Sequence, residues 1–438
     1  MSHASPIPKT IPFRTLERLS GATLGLIAAL VVIGAVAAFL AAGDDPGRFW
    51  QALHFNWLFW SATALGMVML AVAWQTVEAE WSWSVRRFAL AGVAFLPISF
   101  VLLLVILFGA HETLFSHWLH VQGDPVIEAK RGWLNLAGLR IRDILAVLVL
   151  YGLSLYFAYL SLRPDVYGAG RTEGQRSWYA RLTGGWRGAA EEASRSRRIL
   201  LFMGPIMGLL YAVLWGIIAI DLAMTLMPHW FSTMFPVAFF MAGFHAGIAM
   251  TALMVTLHRR KLGLEPYVTG QQYHDLGKML FAFGVFWMYL NWSQYVVIWY
   301  GLLPWEQEWF VKRFDEPYAG LSGIVPLLIF AIPFFGLLTR PPKRVPAIVG
   351  FFAVIVLVGN WLERYLLIYP SLHPEGNHEL PFGLPEIGIG LGFMGLFLLS
   401  YLWFLKTFPV LPSPVSLAAR PPTLVPAPVA TAAHRDIA

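Results

Sequence analysis

The chain is 438 residues long, 58% hydrophobic and only 13% charged; soluble domains carry about 25% charged residues, so the composition excludes an ordinary soluble protein and reads as an integral membrane protein. Cysteine is absent, which excludes thiolate-held iron–sulfur clusters, covalently attached c-type haem and disulfides within this chain. The net charge of +6 would suit nucleic acid, but the charges follow membrane topology, and no nucleic-acid partner is expected.

Residues 1–20 are polar and basic, with Lys9, Arg14 and Arg18. The apolar run that follows, 21–42, is longer than the roughly 7–15-residue core of a signal peptide, so it reads as an uncleaved first span. Further spans are predicted at 55–77, 88–108, 134–162, 199–226, 235–258, 277–300, 321–338, 345–369 and 384–405. That makes ten, each long enough for a hydrocarbon core of about 30 Å. Pro97 lies inside the third, and Pro326 and Pro333 should kink the eighth. The expected division is a segment 1–20, a membrane domain 21–408 and a Pro/Ala-rich disordered tail 409–438.

With the N-terminus cytoplasmic, inner segments hold 22 of the 31 Lys and Arg. The outer segments hold five: Arg48, Lys130, Arg131, Lys312 and Arg313. This bias predicts both termini inside and an even number of spans. The inner loop 163–198 carries eight Arg; it reads as a topology signal, with contact to anionic membrane lipid or a partner as the alternative. The outer segments collect His54, His111, His117, His120, His229, His373 and His378 among carboxylates. Their spacings are loose and no Cys supports them, so no metal site is expected. A polar surface for extramembrane subunits is the reading there.

Charges inside a span are costly, so each is a candidate for function. Asp143, Asp221, His245, Glu363, Arg364 and Glu386 all fall in the outer half. Asp143, Asp221, His245, Glu363 and Arg364 are the proton-path candidates. Glu363 and Arg364 also read as a local ion pair, His245 as a packing histidine, and Arg140 and Arg142 as snorkelling or neutralising Asp143. Asp221 has no base near it in sequence. His245 is the only histidine that the predicted boundaries place deep in a span, so no haem with paired axial histidines is expected.

The seventh span is crowded with aromatics and carries Asn291, Ser293 and Gln294 well inside it. Asn291, Gln294 and Tyr295 share one helical face, which should look into protein because an unpaired amide in hydrocarbon costs about 2–7 kcal/mol. That face, with Trp299 and His245, supplies the ligand-binding candidates: Asn291, Gln294, Tyr295, Trp299 and His245.

The run from Trp287 and Tyr289 through Ser293-Gln294-Tyr295 and Ile298-Trp299-Tyr300 to Pro304, Glu306 and Trp309 resembles a region of the NrfD/polysulfide-reductase-type membrane subunits, in the form of the F-subunit family of alternative complex III. Lys130, Trp133, Leu134 and Asn135 resemble that family's lead into the fourth span, although Ala137, Gly138 and Leu139 stand where it has aromatics. The resemblance implies two four-helix bundles, spans 2–5 and 6–9, flanked by spans 1 and 10. It implies a bacterial inner-membrane subunit of a quinol:cytochrome c oxidoreductase, with menaquinol or ubiquinol as ligand and a role in proton conduction. It makes quinone-binding candidates of Asn291, Gln294, Tyr295, Trp299 and His245. The partners implied are a paralogous membrane subunit, an outer iron–sulfur subunit and c-type haem subunits, with quinol oxidation placed beside the cluster subunit. The alternatives are a non-catalytic membrane anchor of a molybdopterin/iron–sulfur oxidoreductase and a secondary transporter; the latter is disfavoured by the absence of a clear repeat and by ionisable groups that lie off the midplane.

Overall fold

The computed structural model describes residues 10–17, 19–373 and 378–418. Lys9, Arg18, Glu375 and the tail from residue 419 lie outside the described residues. Among those described there is no strand. Nine helices among the described residues are long and apolar enough to cross a membrane: α1 (Gly21–Asp44), α2 (Pro46–Thr76), α3 (Arg86–Gly109), α4 (Leu136–Val166), α5 (Ala189–Leu226), α6 (Met234–His258), α8 (Ala319–Gly336), α9 (Pro346–Leu372) and α10 (Leu384–Thr407). The seventh predicted span forms as α7, Gly270–Gly301. Its 32 residues give a length of about 48 Å at 1.5 Å per residue. Its Trp, Tyr and amide residues dilute its apolarity, which keeps it out of the nine. The protein is an all-α integral membrane protein.

Several helices begin well before their apolar runs, because a cap starts a helix whatever its polarity. Asp45 accepts the Arg48 N–H at 3.0 Å and Pro46 occupies the first turn, so α2 starts nine residues ahead of the predicted 55. Thr269 and Gln272 form a capping box that starts α7 at Gly270. Pro97 begins the last segment of α3, after a 3-10 stretch at Ala91–Phe95. Pro326 and Pro333 bracket a π-turn at Leu327–Ala331 in α8. Proline lacks the N–H that would continue the ladder, so the pitch changes between the two. Three amphipathic helices outside the spans were not expected: His111–Leu119, Glu173–Leu182 and Pro304–Phe314. Their charged residues interrupt the apolar run that marks a span.

Two helices hold the arrangement together. Of α2's apolar window 94% is buried, against 28% for α1, so α2 is the central post and α1 a lipid-facing flank. α2 lies parallel to α6, and backbone touches backbone. A Cβ on Gly66 would stand 2.2 Å from the Gly243 carbonyl oxygen, and one on Gly247 would stand 2.3 Å from the Gly66 carbonyl carbon. With no hydrophobic drive between helices in lipid, such close approach is what brings helices together. α2–α5 form one bundle and α6–α9 a second, joined across this seam. α1 and α10 run antiparallel at the flank, with Gly34 against Gly392.

Both described ends lie on one face, here called the terminal face. The Leu16 N–H donates to the Leu405 carbonyl and the Val410 N–H to the Arg14 carbonyl, each at 2.9 Å. The first residues of the expected disordered tail are therefore seated rather than free. Val410 and Leu411 are buried, and the Ser413 N–H donates to Asp165 at 2.9 Å. Asp165 also pairs with Arg87.

Gly247→Leu drives a side chain into the α2 backbone. Overpacking costs about 1–3 kcal/mol, so the variant should melt several degrees lower in detergent; an unchanged melting temperature would refute the seam.

Candidate functional site

A cavity of about 400 Å³ opens on the flank of the second bundle, between α7, α8, α9 and the helix Pro304–Phe314. Its wall is mainly aromatic: Trp287, Trp292, Tyr295, Trp309, Phe310 and Phe314. Trp292 and Phe314 are half-exposed at its rim. Tyr295 meets Phe310 edge-on, with ring centres 5.4 Å apart. Four polar residues interrupt this wall: Asn291, Arg313, Ser322 and Glu363.

Glu363 sits nine residues from the end of α9, roughly 14 Å along the axis. One carboxylate oxygen accepts the Trp287 indole N–H at 2.7 Å. The other, Oε2, is buried with no hydrogen-bond partner among the described residues. An unmet acceptor in a membrane interior is costly, and one that borders a cavity marks a position for a ligand donor. Asn291 donates to the Trp287 carbonyl at 2.9 Å, one turn back on its own helix, and its side-chain oxygen has no hydrogen-bond partner among the described residues. The cavity therefore offers acceptors from two helices.

Arg313 is 4% exposed and closes the cavity from the outer segment. Its guanidinium donates to the carbonyls of Trp309 (2.7 Å) and Leu367 (3.1 Å) and to the Ser371 hydroxyl (2.8 Å). It also lies 3.7 Å over the Trp309 ring. Burial lowers its pKa well below the ordinary value, while three acceptors and a π-face are the partners a guanidinium needs to stay charged. Sequence counting treated Arg313 only as a topology charge. The signal that would have found it is its place on the amphipathic helix Pro304–Phe314, just after Trp309 and Phe310.

The remaining candidates fall elsewhere. Gln294 is buried on the adjacent stripe with Leu290 and Ile298 and does not line the cavity. Trp299 is 53% exposed and stacks on Tyr295 with ring centres 6.4 Å apart. Arg364 is buried, donates to the Phe239 carbonyl at 2.8 Å and lies 4.0 Å over the Phe239 ring. It thus braces α9 against α6. His245 bonds the Leu280 carbonyl through Nε2 at 3.0 Å and keeps Nδ1 unpartnered. Leu280 lies seven residues below Trp287 on α7, so His245 sits roughly 10 Å deeper than the Glu363 contact.

Asp143 and Asp221 form a separate cluster in the first bundle. Asp221, which has no base near it in sequence, is gripped across the bundle by Arg142: Nε to Oδ2 at 2.9 Å and Nη2 to Oδ1 at 3.1 Å. The Trp133 indole N–H also donates to Asp221 at 2.7 Å. Arg142 thus neutralises Asp221, not its own neighbour Asp143. Asp143 is fully buried, no donor group reaches either of its oxygens among the described residues, and its carboxyl lies within hydrogen-bond reach of that of Asp221. Arg140 turns to the C-terminal end of α3 and donates to the Leu107 carbonyl at 3.0 Å, where a cation suits the helix dipole.

Two further expectations are corrected. His54 is not on the outer surface: the early start of α2 buries it completely, with Nε2 2.7 Å from the Leu222 carbonyl. It is therefore a second deep histidine. The parallel register of α2 and α6 sets His54 about 18 Å along the axis from His245, too far for both to hold one haem iron. Glu386 is a structural post. Arg48 holds it with two bonds of 2.8 Å, and the Tyr369 hydroxyl and the Gly383 N–H each donate to it at 2.7 Å.

The outer histidines pair with acids: His120 with Glu112 and His229 with Asp124, both at 2.7 Å. The backbone N–H of Ile127 and the His229 ring lower the Asp124 pKa, and the His120 ring lowers that of Glu112.

No protein-family model matches this chain, and no curated protein matches it.

Arg142→Ala leaves the Asp221 carboxylate buried and unpaired, which costs about 3–5 kcal/mol. The double variant Arg142→Gln/Asp221→Asn removes both charges and should recover most of the loss in thermal unfolding. Equal instability of the two variants would mean that the ion pair is not what holds α4 to α5.

Proposed function

We propose that the chain is a non-haem, NrfD-like membrane subunit of a quinol:cytochrome c oxidoreductase of the alternative complex III type, and that the α7–α9 cavity is its quinol site. The observation that carries this reading is Glu363: a buried carboxylate with one unpartnered oxygen, on an aromatic wall that opens sideways from the bundle. A hydroquinone ring is flat, apolar on its faces and edged by two O–H donors. The aromatic wall suits the faces, and Glu363 Oε2 with the Asn291 side-chain oxygen suits the donors. The oxidised ring has only acceptors at those edges and would gain less.

Oxidation of one quinol releases two protons and two electrons. The chain has no cysteine to hold a cluster, so the electrons pass to the iron–sulfur or c-type haem groups of partner subunits. Glu363 takes the first proton as general base and, once it has passed that proton on, takes the second. His245, roughly 10 Å deeper along α7, has a buried ring nitrogen able to receive it. Asp143, close enough to share a proton with the Asp221 carboxyl, is the proton carrier of the first bundle; Asp221, held by Arg142, fixes its surroundings. The partners proposed are a paralogous membrane subunit, an outer iron–sulfur subunit and c-type haem subunits, on a bacterial inner membrane with both termini cytoplasmic. The acid–histidine pairs of the outer loops supply a polar docking face for them.

The anchor reading draws support from the polar groups that are fully engaged, above all Arg48–Glu386 and Arg142–Asp221. It gives Glu363 no ligand. The two readings separate in the assembled complex. Glu363→Gln keeps the shape and removes the base, so quinol:cytochrome c turnover should fall by about a hundredfold. A photoreactive quinol analogue should label residues 287–295. Unchanged turnover, with label confined to another subunit, would leave the anchor reading standing.

Asp143→Asn tests the proton role separately. It should lower proton release per electron while quinol affinity holds, as read with a pH-sensitive dye in proteoliposomes. An unchanged stoichiometry would remove Asp143 from the path.

A further inference from the structure

The basic residues of the terminal face divide into two kinds. The buried arginines are engaged: Arg87 with Asp165, and Arg163 with Glu192 at 2.7 Å. Arg197 pairs with Glu78. Arg14, Arg171, Arg260 and Lys261 are different. They are exposed and no ion pair is recorded for any of them among the described residues. Yet they converge from three separate stretches of chain on one hollow of about 630 Å³, with Glu17 as its only carboxylate among the described residues.

The hollow is shaped by fixed parts. Backbone bonds from Leu16 to Leu405 and from Val410 to Arg14 pin its N-terminal wall against the end of α10. Gly263 adopts a positive φ of 62° and turns the 260–263 loop toward that wall, so that a Cβ on it would stand 3.9 Å from Arg14 Nη2. The Arg171 guanidinium is held over the Phe13 ring at 5.3 Å. Phe13, half-buried, adds apolar surface between the charges, and the buried Leu16 and Leu262 back the wall. The wall enters α1 four residues after Glu17, and the 260–263 loop leaves α6 two residues after His258. The cations thus stand where a bilayer places its headgroups.

We propose that this hollow binds a phosphate ester, and that its occupant is the phosphate of an anionic phospholipid headgroup. Four cations facing a single carboxylate leave the hollow with a positive excess, and a phosphodiester neutralises that excess while its glycerol and acyl carbons meet Phe13. A free phosphate has the same charge chemistry but nothing to set against the apolar surface. This site is independent of the cavity between α7 and α9.

The test uses the purified full chain, delipidated in detergent, with phosphatidylglycerol, phosphatidylcholine or inorganic phosphate added in turn. Native mass spectrometry reads the bound lipid, and calorimetry reads the phosphate. Phosphatidylglycerol should be retained in preference to phosphatidylcholine, and its binding should weaken with salt. Each cation removed should cost about fivefold in affinity, so Arg260→Ala/Lys261→Ala should lose roughly 25-fold. Arg195→Ala, an exposed arginine of the same face outside the hollow, should change binding less than about twofold. Arg260→Lys should keep most of it, which separates charge from fold should the double variant melt early. Equal retention of the two lipids, or equal loss in Arg195→Ala, would overturn the site. Binding of inorganic phosphate with no lipid preference would overturn the lipid as its occupant.

Discussion

Inside a bilayer a polar group has no water to fall back on, and this constraint organises the molecule. Glu386 meets it with four donors from Arg48, Tyr369 and Gly383. Asp221 meets it with Arg142 and Trp133. Arg364 meets it with a carbonyl and a ring face. These ties run between helices, so satisfying a charge also fixes the geometry of two elements. Against that background the unmet groups in the outer half stand out. Among the described residues Glu363 Oε2 and His245 Nδ1 are buried without partners, and Asp143 has only the neighbouring Asp221 carboxyl. Glu363 borders the α7–α9 cavity, as does Arg313, whose Nε is also unmet. Apolar packing does the rest through glycine. The α2–α6 seam and the α1–α10 flank both rest on backbones that touch where a side chain would not fit.

Much of the fold could be read from the sequence because lipid imposes a simple rule. A helix that faces hydrocarbon must be apolar over its length, so the runs at 21–42 or 384–405 announce α1 and α10. The helix starts were not legible in this way. α2 begins at Pro46 because Asp45 caps it, and the cap carries His54 into the core. An apolar-run reading ends where polarity begins, while the hydrogen-bond ladder continues. The amphipathic helix Pro304–Phe314 was missed for the same reason, and with it Arg313.

The candidate site was legible in part. The aromatics and amides of α7 marked the right helix, since an amide in a span needs a reason. Periodicity put Asn291, Gln294 and Tyr295 on one face, but an arc that wide meets two neighbours. Asn291 and Tyr295 line the cavity, while Gln294 turns inward. Pairings across the chain were beyond the sequence altogether. Nothing local tells that Arg142 reaches Asp221, 79 positions away, rather than the aspartate beside it.

The α1–α10 contact has a consequence for biosynthesis. α1 also touches α2, but the face around Gly34 closes only on α10, which begins at Leu384, 340 residues after α1 ends at Asp44. At the roughly 5–20 residues per second of translation, the glycine face of α1 waits about twenty seconds or more for α10 to emerge. During that interval the nascent chain carries an open groove in the membrane. A ribosome that stalls before residue 384 leaves the groove open for good, a mark by which a membrane protease or holding chaperone can tell an unfinished chain from a complete one.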